Sequence, residues 1–210
     1  MKRRHICDMR GCRAFAVPVG LLLCAGLLSG CGGSARPSPT SSYPTSSVPL
    51  VAPTPSSSST QAQAGSVRSR DGSFSAVLPD SWGTVKSSVT GMMLFERAPS
   101  ATHGIRTNFN VLRQGAAGAS LTDAVSQATA SLQQSGWAVT AGPGLTVGGI
   151  PAKSVMATTA AQGKKISVHQ YYILKGTSVY IATMTSSPSD APAAQKTATA
   201  IFASWAWSSS

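Results

Sequence analysis

A thiol is the side chain here best suited to act as a nucleophile near neutral pH, and all four cysteines, Cys7, Cys12, Cys24 and Cys31, fall within the first 31 residues. None of them can cross-link the residues beyond Cys31, so the remainder is expected to fold without disulfides. Cys31 is set apart by its neighbours. Leu28, Ser29 and Gly30 precede it, an aliphatic residue followed by two small ones that leave the thiol and the backbone before it accessible. The acid–base inventory beyond residue 66 is small: His103, His169, Asp71, Asp80, Glu96, Asp123 and Asp190. There is no Gly-x-Ser-x-Gly elbow, Ser-x-x-Lys, His-Glu-x-x-His or phosphate loop, and Gly142, Gly144, Gly148 and Gly149 fit turns rather than a dinucleotide fingerprint. A Ser-His-Asp triad needs only spatial convergence, so any catalysis would run through His169, on what reads as a central strand. The competing reading is a histidine packed or hydrogen-bonded in the sheet. Two histidines and scattered carboxylates give no local ligand spacing. No metal, no catalytic residue and no bound cofactor are therefore expected, and the chain is not expected to be an enzyme.

The elements before Cys31 have the order of an export signal. Residues 1 to 13 carry Lys2, Arg3, Arg4, Arg10 and Arg13, and residues 14 to 29 are almost wholly apolar. A charged segment, an apolar segment and small residues make a secretory leader, and the apolar run falls short of the ~20 residues of a comfortable membrane span. Leu28-Ser29-Gly30-Cys31 resembles the lipobox of bacterial lipoproteins. That resemblance implies a leader over 1–30 that is cleaved, and a mature chain held by lipid on Cys31 at the extracytoplasmic face of the cell membrane. Two or more acyl chains anchor stably where one is marginal. Arg3-Arg4 permits a twin-arginine route, but the flanking residues favour general secretion. Met9 is an alternative start.

Residues 31–66 form the lipid-bearing N-terminus and a spacer. From Ser34 to Ser66 the composition is dominated by Ser, Thr and Pro, with Arg36 as its one charged residue. Such a segment buries too little to offset the entropy of ordering, so a disordered linker is predicted, and glycosylation of it is chemically plausible. The full sequence has a formal charge of +11. Without residues 1–30, 12 basic and 5 acidic side chains remain, giving +7. A basic exported surface suits anionic lipid heads, acidic polymers or acidic proteins. Its scattered cations form no stripe, which argues against nucleic acid.

Residues 67–210 form the globular part. Alternation predicts strands over 74–78, 92–96, 107–113, 137–141, 152–159, 165–174 and 178–185, with Phe109 and Val111 inward. Ser120 and Asp123 make a capping box ahead of an apolar stripe at Leu121, Ala124, Val125, Ala128 and Leu132, and Gly136 stands where a helix stops. A second helix is predicted from Asp190, with Pro192 in its first turn, carrying Ile201, Phe202 and Trp205 to the core. The strands over 165–174 and 178–185 are apolar on both faces and belong mid-sheet. The fold class is α+β, an antiparallel sheet with segregated helices. Trp82, Trp137 and Trp205 are expected to pack, and Trp207, beyond the second helix, to be exposed as part of a partner surface.

Phe74-Ser75-Ala76-Val77-Leu78-Pro79 with Trp82, Gly149-Ile150-Pro151-Ala152, His169-Gln170-Tyr171-Tyr172, Tyr180-Ile181-Ala182-Thr183 and Ile201-Phe202-Ala203-Ser204-Trp205 together resemble the LpqN/LpqT-type actinobacterial lipoproteins of the PsbP-like group. The resemblance implies a PsbP-like α-β-α sandwich with a central antiparallel sheet and flanking helices. It also implies a non-catalytic binding or accessory module for cell-envelope proteins, with no shared catalytic residues. His169 and Trp207 are the candidate ligand or partner positions, and a monomer is expected. The alternative is a carrier of lipid or another apolar ligand, which requires a large apolar cavity; a hydrolase is a further alternative.

Overall fold

The computed structural model describes residues 65–161 and 163–209. The expected leader, the lipidation site at Cys31 and the linker before Gly65 lie outside the described residues. What is described falls within one compact unit, Gln61–Ser210. Its elements run β1 (Ser66–Arg68), β2 (Phe74–Val77), β3 (Gly83–Thr84), β4 (Met92–Arg97), β5 (Asn108–Gly115), α1 (Leu121–Gln134), β6 (Ala138–Ala141), β7 (Leu145–Val147), β8 (Ile150–Ala161), β9 (Lys164–Lys175), β10 (Ser178–Ser186), α2 (Ala191–Ala203) and β11 (Ala206–Trp207).

An eight-stranded sheet has the order β3-β4-β5-β10-β9-β8-β6, with β7 also paired to β8. A small second sheet has the order β1-β2-β11. All pairings are antiparallel. Strands β9 and β10 occupy the middle, where both faces are covered: Val168 through Ile173 are buried without interruption, the polar His169 and Gln170 included.

The two helices take opposite faces. Phe202 of α2 meets Phe109 and Tyr171 edge-on, with ring centroids 5.9 and 4.6 Å away. Neighbouring residues of a strand point to opposite faces, and Lys153, next to Ser154 in β8, reaches the other face, where Nζ donates to Thr122 Oγ1 of α1 at 2.8 Å. The result is an antiparallel sheet with a helix on each face, the α-β-α sandwich that the resemblance implies.

Local chemistry accounts for the helix ends. Ser120 Oγ accepts from Asp123 N at 3.2 Å while Asp123 Oδ2 accepts from Ser120 N at 3.1 Å, satisfying two amides that the first turn leaves unpaired. Gly136, at φ 81°, turns the chain so that Trp137 N donates to Leu132 O at 3.0 Å. Ala128 and Leu132 are the buried residues of the stripe.

Several expectations are adjusted by the packing. Trp137 is buried but precedes its strand, which starts at Ala138. α2 ends at Ala203, and Trp205 enters the core from beyond it by stacking on Phe74 at 4.0 Å. The short strands β1, β3, β7 and β11 carry no periodic signal of their own length. They exist because a partner strand lies alongside.

Candidate functional site

His169 lies on the α2 face of β9, two residues before Tyr171, and β8 pairs so that Ser154 stands opposite Tyr171. These three side chains therefore share one face, and they connect in series. Tyr171 OH is 2.8 Å from His169 Nδ1, His169 Nε2 is 3.0 Å from Ser154 Oγ, and Ser154 Oγ donates to Pro143 O at 2.8 Å. A serine hydroxyl has one proton. With that proton on the Pro143 carbonyl, Ser154 Oγ accepts from His169, so Nε2 carries the imidazole proton and Nδ1 is the acceptor for Tyr171.

Burial reinforces a neutral chain. His169 is 8% exposed, and removal from water lowers its pKa to about 4. Burial likewise pushes the Tyr171 phenol well above its ordinary range. Gly142 closes the site from outside: its N–H donates to Ser154 O at 2.9 Å, and a Cβ at this position would overlap Ser154 Oγ and stand 2.8 Å from His169 Nε2. Gly142 is thus required by close approach, a role the sequence reading as a turn glycine does not contain.

A serine nucleophile must give its proton to an imidazole nitrogen that is free to take it. Here the direction is reversed, and the position a triad carboxylate would hold beside Nδ1 belongs to a phenol. What the arrangement does is satisfy three buried polar side chains and cross-link β8, β9 and the segment before β7.

Trp207 is in a different place. It pairs with Phe74 through β11, donates Nε1 to Val147 O at 3.1 Å and packs against Phe74, Tyr180 and Trp205 at centroid distances of 5.9, 4.9 and 5.3 Å. Its ring is half-buried and Lys175 Nζ sits 5.6 Å over it, which corrects the expectation of a free terminal tryptophan. No hydrogen bond or ring contact joins His169 to Trp207 among the described residues.

The carboxylates are used locally. Burial tends to raise Asp71, but hydrogen bonds from Ser73, Ser69 and Arg113 outweigh it and hold its carboxyl below the usual range; the Arg113 Nη1 contact is 2.7 Å. Bonds from Ser120 likewise lower Asp123. Glu96, buried on β4, accepts from Thr84 Oγ1 at 2.7 Å. Among the described residues no group of three or more His, Cys, Asp or Glu is placed to hold a metal ion. No helix among them is long and apolar enough to cross a membrane.

No family model matches this chain, and no curated protein matches it. Solved structures do. LpqN of Mycobacterium tuberculosis, described as involved in cell envelope biogenesis, superposes with a TM-score of 0.50 at 13% identity, over 65% of this chain and 83% of that one. The cyanobacterial PsbP protein of Synechocystis gives a TM-score of 0.51 at 8% identity, over 72% of this chain and 98% of that one. At such identities the likeness is one of fold, and the described domain has the α+β fold shared by PsbP and LpqN.

Proposed function

We propose that the chain is a lipoprotein, anchored through Cys31 at the extracytoplasmic face of the cell membrane, whose PsbP-like domain serves as a non-catalytic binding or accessory module for cell-envelope proteins. The observation that carries the non-catalytic reading is the direction of the Ser154–His169 bond, with the serine proton committed to Pro143 O. Support for the anchor comes from the cationic leader, the apolar run and Leu28-Ser29-Gly30-Cys31 in register. The fold shared with LpqN, a protein of cell envelope biogenesis, supports an envelope role and the LpqN/LpqT-type assignment. The carrier reading has less support, since Phe74, Phe109, Tyr171, Phe202 and Trp205 fill the space between α2 and the sheet.

Mass spectrometry of native protein tests the anchor: the mature N-terminus should be Cys31 bearing a diacylglyceryl thioether, and Cys31→Ser should move the protein from the membrane to the soluble fraction. An unmodified Cys31 would overturn that reading. For the domain, a serine-directed fluorophosphonate should leave Ser154 unlabelled, and stoichiometric labelling there would restore the hydrolase.

A further inference from the structure

We propose that one end of the large sheet, bearing Arg97, Arg106, Lys164 and Lys165, is a docking surface for an anionic phospholipid bilayer, so that the domain lies back on the membrane that anchors it. The inference rests on the anchoring reading above and adds a second, electrostatic attachment to it.

Strand register defines the end. Arg97 pairs with Asn108, Asn108 with Thr185, and Thr185 with Val168. Beyond that row lie the β4–β5 connection, with His103 and Arg106, and the start of β9, with Lys164 and Lys165. Lys164 Nζ donates to Gly104 O at 3.2 Å, tying the two hairpin tips together and holding cations from distant parts of the chain on one rim. Arg106 and Lys165 are exposed and Arg97 half-buried. The side chains of these three form no hydrogen bond or ion pair among the described residues.

Opposing charge is scarce there. The sequence has no Asp or Glu from 97 to 122 and none from 124 to 189. The carboxylates at this end are Glu96, buried beside Arg97 and bonded by Thr84 Oγ1, Asp190, whose Oδ2 is buried, and the exposed Asp80. Arg113 is engaged with Asp71, Arg68 with Gly72 O, Arg70 with Ser87 O, Lys153 with Thr122 and Lys175 over Trp207, while Lys86, following Val85 alongside Phe95, and Lys196 on α2 are exposed single cations elsewhere.

The point of tethering is the second, independent observation. Gly65 is the first described residue, and a Cβ on it would stand 3.4 Å from Asp80 Oδ1. Asp80 lies in the turn closed by Trp82 N donating to Pro79 O at 2.9 Å, and that turn delivers Gly83 to its pairing with Arg97. Gly65, through which the chain continues toward Cys31, therefore lies at the end of the domain that bears these cations. A tether raises the effective concentration of the surface it leads to, and headgroup phosphates are the complementary charge within its reach.

The test uses the chain from residue 31 onward with Cys31→Ser, so that no lipid contributes; residues 1–30 lie outside the compact unit Gln61–Ser210. Co-sedimentation is measured at low ionic strength with vesicles of equal parts phosphatidylglycerol and phosphatidylcholine, and with phosphatidylcholine alone. Binding should require phosphatidylglycerol and weaken as salt is added. A cation near an anionic surface is worth about fivefold in affinity, so Arg106→Ser/Lys164→Ser/Lys165→Ser should lose roughly 10- to 100-fold. Arg70→Ser/Lys175→Ser should bind like the parent. Lys165→Glu, which removes no internal contact, serves as the reading in which folding is not in question. Equal binding to neutral vesicles, no binding to either, or undiminished binding by both tip variants overturns the proposal, an acidic protein or polymer then being the better partner. None of these results touches the mass of Cys31, so failure of this surface is distinguishable from failure of the anchor.

Discussion

The hydroxyl of Ser154 turns away from the imidazole of His169: the two polar atoms stand 3.0 Å apart, yet the serine proton goes to Pro143 O at 2.8 Å. A seryl–histidyl pair in contact is ordinarily a reason to suspect a nucleophile. Here the bond to Pro143 O uses the serine proton, so that Nε2 of His169 is the donor of the pair.

Acid should destabilise the domain through His169. Its folded pKa of about 4 lies below the ordinary 6.5 because burial disfavours the cation. Between those values the unfolded chain holds a proton that the native state refuses, so stability falls as pH drops from 6.5 and the loss is complete below about 4. The difference corresponds to about 3 kcal/mol. Urea unfolding across this range should show the slope, and His169→Gln should flatten it; an unchanged slope in that variant would assign the acid sensitivity elsewhere.

Gly142→Ala should cost about 1–3 kcal/mol, since the new methyl group must displace Ser154 Oγ and crowd His169 Nε2 in a packed region. Chemical denaturation checks the number. A neutral result would mean that the segment before β7 can move away freely.

Ser120→Ala should destabilise by about 1 kcal/mol through loss of the cap on α1. The same change removes the hydroxyl bond, the first cause that lowers Asp123, and leaves the backbone bond from residue 120, so the Asp123 carboxyl should titrate at higher pH in the variant, as followed by NMR of its side chain.

Trp207→Ala should lower stability by roughly 1–3 kcal/mol, because the indole packs on Phe74, Tyr180 and Trp205 and bonds Val147 O. A merely exposed tryptophan would change it by less than about 0.5 kcal/mol. Thermal unfolding separates the two.

How much could be read from the chain alone depended on the range of the interaction. The capping box at Ser120 and Asp123, the stop at Gly136 and the alternation through Phe109 and Val111 are local, written in residues a few positions apart, and they recur in the structure as read. The placement of β9 and β10 mid-sheet was legible because strands covered on both faces carry apolar residues on both faces, as at Tyr171 and Tyr172. The strand at Ala206–Trp207 was not, because two residues hold no period, and it forms only where Phe74 offers an edge.

Composition and linear order by themselves determined the α+β class, the two helices, the long central strands and the expectation that Cys31 carries the lipid chemistry, since each follows from neighbours along the chain. The tertiary structure alone decided that Ser154 meets His169, that Asp71 holds Arg113 and that Lys164 joins the β4–β5 tip. Those partners are separated by 15, 42 and 60 residues, and they meet through strand pairing and packing, where a slip of one residue would send a strand's side chains to the other face.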